Sequence, residues 1–469
     1  MEGTGMLNGN AVRQEGRKLW QYLSACSACL LAVGAGTALA WTSPVLLKLK
    51  EKDSWLPITE EQGSWIGSFL AIGAMLGALP AGSAADKLGR KVALLLLSVP
   101  YLVSWTIIAL AGSVWVLCLA RFIVGVGVGA TCVLVPSYVA EIAEPSARGT
   151  LGAMFQLLIS IGIVLTFVTG YVLSYTGLAI VCGVVEVLFL ATFSWMPESP
   201  VWLVGQGRKL DAAEALKVLR GGAFDAAGEL AGIQKDVDEQ SKRRSTILDL
   251  VKTPGSRRAL QASFGGMIFQ QLSGINAVIF YTAIIFQAAG SSLKPDIAAI
   301  VVALVQMVMS AVAALIVDKA GRKPLLMFSS SVMACSLFAL GLYFKLQRDG
   351  TDVSNLGWLP LSSLTLFMIA FSVGMGPIPW MLAGELFTVE TKAVASGVAV
   401  MLNWFLVFLV TKAFPTMQET LGEAVTFWIF AGFMVAATAF AYFIVPETKG
   451  RTLQAIQDKL NRTRGNRPA

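Results

Sequence analysis

Asp86-Lys87-Leu88-Gly89-Arg90-Lys91 and, 232 residues later, Asp318-Lys319-Ala320-Gly321-Arg322-Lys323 decide the architecture of this chain. The same charges and the same glycine recur in the same order, and each hexapeptide stands between two apolar runs. Gly89 and Gly321 permit the tight reversal such a short connection needs. Two further echoes keep the register. Glu141 precedes Arg148 and Glu385 precedes Lys392 by the same seven positions, and Pro197-Glu198-Ser199 returns as Pro446-Glu447-Thr448. Three echoes in order imply two matching halves, a plan that lets one bundle move against the other around a central site.

Working outward from these turns, twelve apolar segments appear: 21–47, 62–84, 92–112, 114–140, 150–175 and 177–196, then 259–289, 295–317, 325–345, 359–385, 392–416 and 423–445. Each is near or above the ~20 residues a helix needs to cross the hydrocarbon core. Helices are required there because no water is present to satisfy the backbone. The expected fold is an all-α membrane protein with twelve transmembrane helices in two pseudo-symmetric six-helix bundles. Its expected parts are an N-tail (1–20), a first bundle (21–196), a helical linker (197–258), a second bundle (259–445) and a C-tail (446–469). The residues before Trp20 are polar and the apolar run after it has the length of a full span, so no cleavable signal is expected.

Composition agrees with a membrane class. Of the 469 residues 55% are hydrophobic and 14% charged, against roughly 25% charged in soluble domains. The placement of the 36 basic residues sets orientation: with both termini inside, inner segments carry 28 of them and outer segments six, leaving Arg121 and Lys412 within helices. That bias places the linker and both tails in the cytosol. The sole sequon, Asn461-Arg462-Thr463, then lies on the side where glycosylation does not occur.

Several function classes lose support. The basic residues alternate with apolar runs and build no aromatic-basic surface, so no nucleic acid partner is expected. The six cysteines all lie in apolar segments, and Cys26-x-x-Cys29 reads as small filler in a helix, not a metal site. No histidine occurs, which removes imidazole relays. No nucleophile–base pair or metal cluster falls in a polar segment, so the chain is not expected to be an enzyme, and no metal or cofactor is called for. No obligate protein partner is evident; the bilayer is the expected environment.

The ordered motifs resemble the sugar porter family of the major facilitator superfamily over nearly the whole length. The resemblance rests on both D-x-x-G-R-K turns, on RFIVGVGVG from Arg121, on Glu141…Arg148-Gly149, and on PESPVWL at 197–203. QQLSGIN at 270–276, GPIPW at 376–380 and PETKG at 446–450 add to it. SWIGS at 64–68, GALPAG at 77–82 and EIAEPSARGTLG at 141–152 look most like the insect facilitated trehalose transporter group. Two positions depart from the wider family: Val201 stands where many members carry Arg, and Ser372 where several animal glucose carriers carry Glu.

A sugar offers hydroxyls that need donors and acceptors, and C–H faces that suit aromatic rings. Uncharged amides supply donor and acceptor together, and in a membrane they are costly unless they face a cavity or a neighbouring helix. Gln270, Gln271 and Asn276 form such a cluster on helix 7, where a break near Ser273-Gly274 would turn Asn276 inward. Gln156 on helix 5, Gln306 on helix 8, Trp380 on helix 10 and Asn403 on helix 11 join the candidate set. The resemblance implies sugar contact at Gln156, Gln270, Gln271, Asn276, Trp380 and Asn403, with Gln306 where the family often carries Asn. Tyr281 and Trp404 are weaker candidates for an outer gate and an inner wall. Pro377 and Pro379 remove backbone donors and should break helix 10 into a gate.

At the inner face, Arg90, Arg148, Arg322 and Lys392 can meet Glu141, Glu198, Glu385 and Glu447. One exposed pair contributes about 0–1 kcal/mol, but eight groups in a network could form a latch that biases a state closed on that face. The resemblance also bears on energetics. Proton-driven members carry an Asp in helix 1, at the position of Ala38 here, and 21–47 holds no Asp or Glu. The expected function is passive, alternating-access transport of a neutral sugar, trehalose or a hexose such as glucose, across the plasma membrane. A proton-coupled symporter, with Glu186 of helix 6 as the titrating group, and a non-transporting sugar sensor are the alternatives.

Overall fold

The computed structural model describes residues 18–461 apart from 52, 145, 222–225, 242–248, 291–292, 389–390, 450 and 452. The side chains of Arg148 and Lys392, two members of the expected latch, lie outside what is described. Among the described residues all regular structure is helical, and twelve helices are long and apolar enough to cross a membrane. The first six spans are Leu19–Leu49, Glu60–Leu88, Arg90–Leu110, Val114–Ile142, Gly149–Val172 and Tyr175–Phe193. The second six are Pro254–Ala289, Pro295–Ala313, Arg322–Arg348, Ser354–Glu385, Val394–Leu421 and Glu423–Phe443. Between them lie linker helices Pro200–Gly205, Lys209–Arg220, Ala226–Ser241 and Asp249–Lys252, and Leu453–Asn461 follows the last span.

Span 7 begins at Pro254 and not near 259, because polar residues after it are carried into the helix by a good start signal. Proline occupies the first turn and the Thr253 side chain accepts from Ser256 N. The start is tied down by the last helix: Asn461 Oδ1 accepts from Gly255 N at 3.0 Å, and Arg258 donates to Leu460 O at 2.7 Å.

The repeated turns are alike at atomic detail. Gly89 has φ +98° and Gly321 φ +94°. A Cβ at Gly89 would lie 2.4 Å from Glu198 Oε2, and one at Gly321 would lie 2.9 Å from Glu447 Oε2. Only glycine fits either place, on conformation and on space. Each glutamate comes this close because it accepts from the first amides of the next span: Lys91 N donates to Glu198, and Arg322 N and Lys323 N donate to Glu447 at 3.1 and 3.0 Å. A carboxylate at a helix start answers donors that have no intrahelical partner.

The linker helices sit against the start of span 1 and the end of span 4, where Arg220 donates to Ile142 O at 2.8 Å and pairs with Glu144 and Glu229. This defines a linker face of the molecule and an opposite, far face. Hydrogen bonds tie the two groups of six at mid-depth, Ser160 Oγ with Ser310 Oγ at 3.3 Å, and toward the far face. There Ala283 N donates to Ser43 Oγ at 3.0 Å and Lys412 Nζ to Ser64 Oγ at 2.7 Å.

Candidate functional site: a mid-membrane amide cluster

Span 7 breaks at Ser273-Gly274. Gly274 takes φ +80° and ends the helix Pro254–Leu272 before Ile275–Ala289 begins. A Cβ at Gly274 would lie 2.8 Å from a ring carbon of Phe430, so the left-handed turn and the close packing both require glycine. Span 10 breaks too. The helix Leu359–Ala370 loosens into a wide turn at Phe371–Met375, and a new helix starts at Ile378 after Gly376-Pro377. Ser329 of span 9 staples this break, donating to Ala370 O at 2.7 Å and accepting from Met375 N at 2.9 Å.

The two breaks meet through one glutamine. Gln270 donates through Nε2 to Met375 O at 2.8 Å and Gly376 O at 2.7 Å, two carbonyls at the break, the first of which Pro379 cannot serve for want of an N–H. Its Oε1 accepts from Asn403 Nδ2 at 3.2 Å and from Gln271 Nε2 at 3.4 Å, and Gln271 Oε1 accepts from Asn276 Nδ2 at 2.6 Å. Gln270, Gln271, Asn276 and Asn403 thus form one uncharged chain across spans 7, 10 and 11. The break gives Asn276 its place, since the left-handed turn at Gly274 brings its amide back to Gln271. Trp404 of span 11 and Ser372 of span 10 are buried, and the indole N–H and the hydroxyl have no partner among the described residues.

The other expected contact residues lie outside this hydrogen-bonded chain. Gln306 is buried on span 8, while Gln156 and Trp380 are exposed. Tyr281 stands in the seam between the halves. Its hydroxyl donates to Thr411 O at 3.1 Å, its ring packs on Phe414, and a Cβ at Gly67 of span 2 would lie 2.9 Å from that hydroxyl.

The linker-face charges sort by half. Arg90 pairs with Glu141 at 3.1 Å and with Asp86, and Ser199 Oγ donates to Glu141. In the second half Arg322 pairs with Glu385 at 2.9 Å, and Thr448 Oγ1 donates to Glu385 at 2.6 Å. Glu198 and Glu447 cap helix starts. Their titration differs. Burial pushes the Glu198 carboxyl above its usual value despite amide donors. Glu447 is also raised by burial, but donation from the amides of Lys449, Arg322, Lys323 and Thr448 outweighs it and holds the group below the usual value. Ser199 and Thr448 were missed in the sequence; their place in PES and PET was the available signal.

In the first bundle, buried Arg121 donates to Ala38 O at 2.6 Å and Ile66 O at 3.2 Å and lies over Trp41, 5.4 Å from the ring centroid. Glu186 is fully buried, and neither carboxyl oxygen has a hydrogen-bond partner among the described residues. It abuts span 1 at Gly34, where a Cβ would lie 1.9 Å from Oε1.

Two six-helix groups, repeated glycine turns and a polar cluster at paired helix breaks define the major facilitator fold. The chain belongs to the Sugar (and other) transporter family, whose model matches residues 21–460. It is 38% identical over 443 residues to the facilitated trehalose transporter Tret1 of Culex quinquefasciatus, covering 94% of this chain and 86% of that protein. It is 37% identical over 446 residues to the Tret1 of Aedes aegypti, covering 94% of this chain and 55% of the relative. The chain spans about half the length of that relative and of several others it matches, including trehalose transporter 1 of Drosophila melanogaster at 52%. Among solved structures it is similar to an inward open conformation of the Escherichia coli xylose transporter XylE, with TM-score 0.79 and 24% identity over 94% of this chain and 99% of the other. It is also similar to the proton:xylose symporter XylE bound to 6-bromo-6-deoxy-D-glucose, with TM-score 0.77 and 25% identity over 94% and 99%.

Proposed function

We propose that this chain is a passive, alternating-access carrier of a neutral sugar, trehalose or a hexose such as glucose, with its linker face in the cytosol of a plasma-membrane-inserted protein. The observation that carries the proposal is the chain of uncharged amides from Asn276 through Gln271 and Gln270 to Asn403. Such groups recognise hydroxyls without selecting a charge. Sugar binding would exchange some of these interhelical bonds for bonds to hydroxyls, and the breaks at Gly274 and Pro377 would convert that exchange into movement of the half-helices. Gln156 and Trp380, with Gln306, would line the path at its linker-side approach. The ion pairs inside each half would hold that half rigid, and the full eight-residue latch would assemble when the linker side closes.

The passive reading is supported by Arg121, whose guanidinium is met by the backbone carbonyls of Ala38 and Ile66 and not by a carboxylate. The buried Glu186 favours the second reading, proton coupling. One experiment separates them: radiolabelled trehalose and glucose uptake into proteoliposomes with and without a protonophore. Saturable uptake unchanged by the protonophore and kept in Glu186→Gln is expected. Sugar-driven acidification of the lumen that disappears in Glu186→Gln would overturn the passive reading, and absence of any saturable sugar uptake would overturn sugar transport itself.

A further inference from the structure

Lys412 is a cation inside span 11 that neither the amide cluster nor the inner-face charges use. It is half-buried, nine residues before the helix ends at Leu421 and four before the apolar run gives way to polar residues at 416. A cation held between helices in an apolar run needs partners or water. Its partners belong to the other bundle. Nζ donates to Ser64 Oγ at 2.7 Å and sits over the Trp65 ring, 4.2 Å from the centroid. Ser64 is buried, and its hydroxyl donates in turn to Glu61 O at 2.7 Å, which leaves its lone pairs for the lysine. Positions 408, 411 and 412 share one stripe of span 11, and Phe408 and Lys412 of that stripe meet Trp65 of the other half. Phe408 packs near Trp65 with ring centroids 6.5 Å apart, and Thr411 O receives Tyr281.

We propose that Lys412 is the positioning residue of the far-face gate, with Ser64 and Trp65 as the site that replaces its water when the seam is shut. The inference rests on the alternating-access reading. With the far face closed, the Trp65 π-face and the Ser64 oxygen compensate the ammonium. When the halves part on that face, water takes over and the lysine is released. The pair therefore matches the cost of drying the cation to closure of the gate, and removing the partner while keeping the cation leaves an uncompensated charge in the seam.

The test is a cycle read from one side of the membrane. Ala283 is buried in the seam beside Ser43, so a cysteine there reacts with a membrane-impermeant maleimide from the far face only when that face opens. Labelling is compared with the same chain lacking Ala283→Cys. Trp65→Leu is expected to raise the labelling rate about fivefold, the equivalent of a half-buried cation–π contact. In a Lys412→Met background the same Trp65→Leu change is expected to raise it less than twofold, because no cation remains to be stranded. Ser64→Ala, a smaller change at the same seam, should show the same dependence on Lys412. Equal acceleration in both backgrounds, for either partner, overturns the role of Lys412. A parent Ala283→Cys chain that carries sugar yet never labels from the far face overturns alternating access instead, so the two failures are distinct.

Discussion

Gln270 is the residue on which the proposed pocket turns. It makes three interhelical hydrogen bonds, at 2.8, 2.7 and 3.2 Å, and these join span 7 to the broken span 10 and to Asn403. Interhelical bonds in membrane proteins average about 0.6 kcal/mol each, so Gln270→Ala should cost about 1.8 kcal/mol of pocket order, roughly twentyfold in sugar affinity. Met375 O and Gly376 O would also lose their donor. Gln270→Glu separates shape from chemistry. It preserves size and the acceptors for Asn403 and Gln271, but it removes the donors and adds a charge at mid-depth. Its loss should equal or exceed that of alanine near pH 7. Equilibrium binding of radiolabelled trehalose and glucose to purified protein, with thermal unfolding as a control for folding, measures both. If both variants bind within twofold of the parent while remaining folded, the amide chain is not the sugar site.

Gly274→Ala should abolish most uptake and lower thermal stability, since the left-handed turn costs about 1–3 kcal/mol for a residue with a Cβ and the Phe430 ring leaves no room; stability unchanged in a melting assay would contradict the packing. Gly89→Ala should displace Glu198 from the amides of span 3, read as faster hydrogen exchange at Lys91, and Gly321→Ala should do the same at Lys323 through Glu447. The two capping glutamates should answer acid in opposite senses. Glu447, held below its usual value, contributes stability that is present above the unfolded value and lost as pH falls through its folded one; Glu198, raised by burial, contributes most at low pH and loses it as pH rises. Lowering pH from about 6 to about 3.5 should therefore speed exchange at Lys323, relative to the intrinsic rate, more than at Lys91; equal changes would refute the asymmetry. A double-mutant cycle on Arg322 and Glu385 should return a coupling of about 1 kcal/mol or less in unfolding, because the pair is partly exposed.

Gly89, Gly321 and the Ser273-Gly274 break were legible because glycine marks backbone that no other residue adopts, and a repeat of charges around it fixes its place. The helix 7 amides were legible for a related reason: polar groups in a 20-residue apolar run must face something other than lipid. Partner choice was not legible in the same way. Glu198 and Glu447 read from the sequence as members of an Arg–Glu network, and the fold also hands them the first amides of spans 3 and 9, a demand created by helix ends and invisible in residue charge.

By itself the sequence determined twelve helices, their pairing into like halves and the stretches where helices 7 and 10 interrupt, since apolar length, periodicity and glycine or proline act locally. Only the tertiary structure decided that Gln270 feeds the carbonyls of a break 105 residues away and that Lys412 rests on Trp65 of the opposite half. Those contacts depend on how helices cross, which is set by packing between segments whose separation along the chain carries no record of their distance in space.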